Sequence, residues 1–422
     1  MTAFCKTVRD HIDPDTAKDG CYKQNRGKEN GSFSIIHGNI HRNGKLLSDV
    51  NSIAKGMKKM KKYLKISRMA RGAALLAMLP IFFLGGCGQR TECEKSVDTA
   101  MGTVISQTVY LTGESAITTK RETNKKITDV VLQKLNDLEQ KELSWRLESA
   151  EVACINAAAG EGPVSISPAM TEWLERCLQV SADSEGAFDV SIGRLSRLWD
   201  IDTWAAATDP GDYELPGQEE VTQALTAAGW QEISLEPRTD GGLVSIPTGM
   251  QLDLGAVGKG VALDEIRGIL EEHPEVSGAV ISAGGSILTY GGKPEGGVWQ
   301  IAVTDPLDPS DSVGILTLDG GYCVSTSGDY ERYVEVDGIR YHHILDPRTG
   351  SPARSDVAGV TIVTADGFLS DALSTACFVL GQEKGQKLLE KYDAEGLFID
   401  HEGNITMTEG MQQYFHLSNA RK

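Results

Sequence analysis

The sequence predicts an α+β domain organised around a mixed sheet, and three observations carry that prediction. Strand-like and helix-like segments are interspersed without strict alternation, which disfavours a doubly wound parallel sheet. A chain of 422 residues with 40% hydrophobic content can bury a sizeable core, in one large domain or two lobes. Its 46 glycines, many in clusters such as Gly284-Gly285 and Gly291-Gly292, mark tight turns or close approach of backbone to a ligand.

In chain order, a first strand is expected over Thr103–Tyr110. Ile127, Val130, Val131, Leu135 and Leu138 have helical spacing. Ser167-Pro168 opens a second helix, with serine as N-cap and proline at the first position. Its stripe of Met170, Trp173, Leu174, Cys177, Leu178 and Val180 reads as core. Asp209–Gly217 reads as a loop and Val221–Ala228 as a short helix, followed by strands and glycine turns from Trp230 to Asp253. Gly258–His273 is expected to be helical and Gly278–Ile287 to be one buried strand. Further strands are expected at Trp299–Val303, Val313–Leu318, Arg332–Val336 and Gly359–Val363. A long helix over Ser370–Tyr392 and a hairpin of Gly396–Asp400 with Asn404–Thr408 close the chain.

The formal net charge of −18 argues against a nucleic-acid partner, because phosphate binding needs a basic face. Ordinary acidic solvation of a surface explains the same charge. None of the eight cysteines forms a CxxC pair or a zinc spacing; Cys154, Cys177 and Cys377 read as small core residues.

Residues 57–87 read differently. A basic head (Lys58, Lys59, Lys61, Lys62, Lys65, Arg68, Arg71) precedes an apolar run from Ala73 to Leu84, too short to span a membrane comfortably. The run ends in Leu84-Gly85-Gly86-Cys87, which resembles the bacterial lipobox. That resemblance implies a signal peptide over 57–86, lipidation of Cys87, a tether over 87–98 and an extracytoplasmic protein anchored to the cell membrane. An uncleaved anchor is the alternative. Residues 1–56 lack periodicity and precede the signal, so translation is expected to start at Met57 or Met60.

Four constellations could carry chemistry. Asp371, Ser374 and Thr375 share one helix face by their i, i+3, i+4 spacing, and such oxygen donors suit magnesium; an N-cap with ordinary helix polarity fits the same pattern. Asp253-Leu254-Gly255-Ala256-Val257-Gly258-Lys259-Gly260 leads into a helix whose N-terminus favours an anion. It lacks the P-loop spacing. His342-His343 precedes Asp346-Pro347-Arg348-Thr349-Gly350, which is turn chemistry. On a strand the two histidines would face opposite ways, so only one can face a site. It could act as a base, orient a phosphate or sit in the core. Gly186-Ala187-Phe188-Asp189 could stack on and hydrogen-bond a planar ring, or form a capped turn with a core phenylalanine.

Together these segments resemble the FAD:protein FMN transferases, the ApbE-type flavin-transferring lipoproteins. The match runs from about Thr99 to Gly381. It comprises Ala100-Met101-Gly102-Thr103, the Ser144–Asn156 segment, Gly186–Asp189, Asp253-Leu254-Gly255, Lys259-Gly260, Ser282–Gly285, Thr326–Tyr330, His343–Gly350 and Asp371–Thr375, in order. The chain departs from the family pattern at Ser144-Trp145-Arg146, which lacks a tyrosine, and at Ser282, where many members carry asparagine.

The resemblance implies an ApbE/T-fold-like domain over 99–422. It implies Mg2+ held by Asp371, Ser374, Thr375 and the backbone carbonyl of Ala256. It places Met101, Ala187, Phe188, Asp189, Asp253, Lys259 and Ile344 along FAD and makes His343 and Asp371 catalytic. The implied reaction moves FMN from FAD onto a threonine or serine of an acceptor protein and releases AMP. Redox-pump subunits with a short Asp-x-x-Ser/Thr-Gly-Ala-Thr-like motif are the implied acceptors. An FAD pyrophosphatase using water, and a lipoprotein that merely holds flavin, are the alternatives.

Overall fold

The computed structural model describes residues 93–112, 117–207, 213–293 and 296–418. The expected extension, signal peptide and Cys87, and the first part of the Asp209–Gly217 loop, lie outside the described residues.

The domain is α+β. The first third holds strands β1 (Cys93–Ala100) and β2 (Thr103–Leu111), helices α1 (Ile117–Asp137) and α2 (Glu151–Ala157), β3 (Val164–Ile166) and α3 (Pro168–Asp183). Short helices α4 (Gly193–Trp199), α5 (Ile201–Ala205) and α6 (Gln218–Leu225) follow. Next come β4 (Ser234–Arg238), β5 (Gly241–Ser245), α7 (Gly255–Glu271), β6 (Val276–Ala283) and β7 (Ser286–Gly291). The remainder comprises β8 (Trp299–Asp305), β9 (Asp308–Leu318), β10 (Cys323–Gly328), β11 (Tyr333–Val336), β12 (Ile339–His342), β13 (Leu345–Asp346), β14 (Ser351–Pro352) and β15 (Val357–Thr364). Helices α8 (Gly367–Leu380) and α9 (Gln382–Leu389) and strands β16 (Ala394–Asp400), β17 (Ile405–Met407) and β18 (Phe415–Leu417) complete it.

The main sheet has eight strands in the order β1-β2-β6-β7-β10-β15-β16-β17, every neighbouring pair antiparallel. Helices α1, α3, α7 and α8 supply the main core on one face, with Leu135, Leu174, Leu263 and Phe368 fully buried. A second core lies between the sheet and a three-stranded sheet of order β18-β9-β8, and contains Val313, Leu316 and Leu397. Sheets can stack this way because alternate residues of each strand face opposite sides.

Several boundaries differ from the sequence-based expectation, each for a local reason. Residues 93–98, expected as tether, form most of edge strand β1, because β2 satisfies their backbone along one side while alternate side chains stay exposed. The single strand expected over Gly278–Ile287 is two strands. Gly284, at φ +60°, reverses the chain so that Ala283 pairs with Ser286 across a Gly-Gly turn. The long helix expected over Ser370–Tyr392 breaks at Gly381, whose φ of +78° ends α8. A Cβ there would collide with the Asp356 carboxylate. Helix α7 starts at Gly255, three residues before the expected Gly258.

Strand β10 was not legible. Its Ser325 and Ser327 are buried polar residues, satisfied by Ser370 and Ser374 of α8 at 2.8 Å each. Two strand residues advance about 6.7 Å and four helical residues about 6 Å, so the two hydroxyl pairs stay in step. Cys177 and Cys377 are buried as expected; Cys154 is only half-buried, its Sγ 3.9 Å from the Glu148 carbonyl oxygen.

Candidate active site

A cavity of about 510 Å³ opens where the turns at one end of β1–β2, β6–β7 and β10 meet the first turn of α7. Met101 reaches it through a tight turn in which Met101 (φ +52°) and Gly102 (φ +67°) are both left-handed. For a non-glycine residue this costs about 1–2 kcal/mol. The Met101 amide offsets part of it by donating to Glu139 Oε2 at 3.0 Å.

The anionic centre lies just behind one end of the cavity. Asp371 is 2% exposed, and its Oδ2 accepts from the amides of Lys259 and Gly260 at 3.1 Å. Its Oδ1 faces Lys259 Nζ at 3.0 Å and accepts from Ser286 Oγ at 3.4 Å. This geometry needs α7 and α8 in close contact, which Gly260 and Gly367 permit. A Cβ on Gly260 would collide with the Gly367 carbonyl oxygen and crowd Asp371. Asp264, on the next turn of α7, accepts from the amides of Gly367 and Phe368 at 2.8 Å and so fixes the start of α8.

Thr375 and Ala256 line the cavity beside Lys259, whereas Ser374 is fully buried and linked to Ser327. One carboxylate, two hydroxyls and a carbonyl are hard oxygen donors, the chemistry that fits a magnesium ion. The Lys259 ammonium supplies the positive charge that Asp371 faces. Among the described residues no group of three or more His, Cys, Asp or Glu side chains is arranged to hold a metal, and the expected donor set does not need one.

The two histidines divide their roles. His342 is 3% exposed and packs edge-on against Phe378 at 5.4 Å. Its Nε2 donates to the Ala353 carbonyl at 2.9 Å. Burial, reinforced by nearby Arg354 and Arg340, lowers its pKa to about 4. His343 lines the cavity. Its Nδ1 lies 3.3 Å from the Arg332 carbonyl oxygen, which can only accept. The neutral ring therefore carries its proton on Nδ1 and leaves Nε2 basic. Loss of hydration, then Arg332, His342 and Lys259, hold the pKa of His343 well below its ordinary value.

Asp253 and Asp189 also line the cavity. Asp253 accepts from the Gly255 amide at 2.8 Å, shaping the entry to α7. Asp189 accepts from the amides of Ser191 (2.7 Å) and Trp230 (3.1 Å), while burial raises its pKa. Ile344 also lines the cavity. Ala187 and Phe188, placed along the ligand by the resemblance, are 1% exposed in the main core and not on the cavity wall. The turn before them is strained at Glu185 (φ +54°), and Ser184 Oγ accepts from the Phe188 amide. The Asp346–Gly350 segment is a turn in which Arg348 pairs with Asp346 at 2.8 Å, and the Gly350 carbonyl accepts from Trp199 Nε1.

Five charged residues of the cavity went unrecognised in the sequence: Glu139, Arg146, Asp202, Glu331 and Arg332. Asp202 lies between Arg332 (2.8 Å) and Arg146 (3.6 Å), bridging three segments at the rim. Trp145, in the segment where this chain lacks a tyrosine, lines the cavity with the Arg146 guanidinium 4.0 Å above its ring. Glu331 and Arg332 directly follow the Thr326–Tyr330 motif, so extending that motif by two residues would have found them.

A family model described as the ApbE family matches residues 101–398. An "FAD:protein FMN transferase" of Treponema pallidum is 34% identical over 300 residues, 67% of this chain and 80% of its own length. One from Escherichia coli K12 is 27% identical over 340 residues, 79% of this chain and 93% of its own length. Among solved structures, the ApbE protein of Thermotoga maritima superposes with a TM-score of 0.66 at 30% identity, covering 76% of this chain and 99% of the other. Flavinyl transferase ApbE of Pseudomonas stutzeri gives 0.63 at 29%, covering 78% and 98%. By these relatives the chain is a transferase enzyme. The chain belongs to the ApbE family.

Proposed function

We propose that the chain is an FAD:protein FMN transferase that moves FMN from FAD to a threonine or serine hydroxyl of an acceptor protein, with Mg2+, and releases AMP. The observation that carries this reading is the convergence of Lys259, Thr375 and His343 on one cavity, with Asp371 directly behind Lys259. A pyrophosphate brings two negative charges, which the Lys259 ammonium and the N-terminal turn of α7, a helix of 17 residues, are placed to meet. Magnesium, held by Asp371, Thr375, Ser374 and the Ala256 carbonyl, would neutralise charge on the phosphates and the departing AMP.

The acceptor oxygen forms a bond to the FMN-side phosphorus as the bond from that phosphorus to the AMP oxygen breaks. The hydroxyl proton passes to Nε2 of His343, the ring nitrogen that the Arg332 carbonyl leaves basic. Cys87 would carry the lipid that anchors the enzyme to the extracytoplasmic face of the cell membrane, and Cys87→Ala should then shift it to the soluble fraction.

The test is incubation with FAD, Mg2+ and a redox-pump acceptor domain, followed by a denaturing gel. A fluorescent acceptor band is expected. Free FMN and AMP without a labelled acceptor would replace this reading with the pyrophosphatase.

A further inference from the structure

A second, smaller cavity of about 260 Å³ lies on the other face of the main sheet, between it and the β18-β9-β8 sheet. Its floor is apolar: Ile287 and Val324 from the main sheet, Ile301 and Leu316 from the smaller one. Four residues, Gly284, Gly285, Thr326 and Glu331, line both this groove and the active-site cavity. Two of these shared residues are glycines with little room for a side chain. A Cβ on Gly285 would come within 2.8 Å of Glu331 Oε1, and one on Gly284 within 2.6 Å of Thr103 Oγ1.

The groove has the wrong chemistry for a nucleotide. No lysine or arginine lines it, whereas Lys259, Arg146 and Arg332 line the active-site cavity. Its one charged lining residue is the Glu331 carboxylate that the two cavities share, so nothing in the groove offsets the charge of a phosphate. It suits an apolar side chain of a polypeptide. The smaller sheet also ends in β8, which among the described strands is bonded only to β9. An edge of this kind can take an extended segment through main-chain hydrogen bonds while a pocket beside it reads a side chain.

We infer that this groove is the acceptor subsite: the acceptor protein lies extended along β8 and seats an apolar side chain between the two sheets, which presents its neighbouring hydroxyl residue to the active site past Gly284, Gly285 and Glu331. The inference rests on the transferase reading. It explains how a second, macromolecular substrate reaches a phosphate whose own cavity is filled by the first.

Ala302, exposed on β8 and part of the groove but not of the active-site cavity, gives the test. Ala302→Cys is folded and then capped with N-benzylmaleimide, with the parent protein treated identically to control for native thiols. The probe is a redox-pump acceptor domain with FAD and Mg2+. The capped variant is expected to raise the KM for the acceptor about tenfold or more, with the Kd for FAD unchanged. An unchanged acceptor KM overturns the subsite and leaves the transferase reading standing, as does a parallel loss of FAD binding, which would assign the groove to the nucleotide. A parent protein that labels no acceptor overturns both. Should Ala302→Cys fail to fold, Thr304→Cys, on the same groove, replaces it.

Discussion

Lys259 and Asp371, 112 residues apart in sequence, form an ion pair at 3.0 Å in which the carboxylate is almost wholly buried and the ammonium mostly so. The same carboxylate accepts the amides of Lys259 and Gly260. One side chain of α8 therefore ties down the start of α7 and balances the cation that lines the cavity. Lys259 and a metal ion would compete for Asp371. Lys259→Met is expected to tighten Mg2+ binding to the FAD-free protein by about tenfold, since about 1.4 kcal/mol of competing attraction is removed. It should weaken FAD binding at the same time. Titration calorimetry with each ligand checks both directions.

The contact between α7 and α8 has no room for a methyl group at Gly260. Gly260→Ala is expected to destabilise the fold by about 1–3 kcal/mol through overpacking, and to reduce transfer because Asp371 must shift. Urea unfolding of the variant beside the parent measures the first effect. An exposed glycine of α7 with open space around it, Gly268, is the control, and Gly268→Ala should not destabilise.

His343→Ala is expected to slow transfer about a hundredfold to ten-thousandfold, the range for loss of a placed base, with little change in FAD affinity. Because the pKa of His343 is held well below its ordinary value, the ring stays neutral and able to accept a proton throughout the neutral range. Transfer should therefore hold its rate as pH falls from 8 to 6. Single-turnover labelling across that range would contradict the assignment if the rate fell with an apparent pKa near 6.5.

His342 couples folding to pH. In the native state its pKa is about 4, and in the unfolded chain about 6.5. Between those values the unfolded chain binds the extra proton, so stability is complete above pH 6.5 and declines as pH falls toward 4. The loss from this residue is expected to reach about 3 kcal/mol. His342→Gln, which keeps an amide donor for the Ala353 carbonyl but cannot titrate, should flatten that part of the stability profile in denaturant melts at successive pH values.

Much of this site was visible in the sequence because its parts are local. Helix α3 announced itself through Ser167, whose Oγ accepts from Met170, and Pro168. The spacing of Asp371, Ser374 and Thr375 and the glycine-rich lead into α7 were visible in the sequence, but spacing left their role open and only the resemblance assigned them to one site. Long-range pairing was not. Nothing local signals that Ser325 and Ser327 would find Ser370 and Ser374, so a hydroxyl-rich central strand went unread. The break at Gly381 was masked by apolar periodicity on both sides, and the reversal at Gly284 by two strands of equal hydrophobicity. Ala187 and Phe188, placed along FAD by the resemblance, are buried in the core and not among the residues lining the cavity. Their motif shapes the cavity, but of those three neighbours only Asp189 lines it.

The most direct measurement is Mg2+-dependent labelling of an acceptor domain by Asp371→Asn beside the parent. The substitution keeps an oxygen for the Lys259 and Gly260 amides but, like removal of the side chain, leaves the Lys259 ammonium without its carboxylate, which for a buried pair costs about 3–5 kcal/mol of stability. The variant is expected to melt earlier than the parent and, under conditions where both are folded, to lose labelling at every Mg2+ concentration. Labelling at the parental rate, with the parental Mg2+ dependence, would contradict the assignment of this carboxylate and the site built around it.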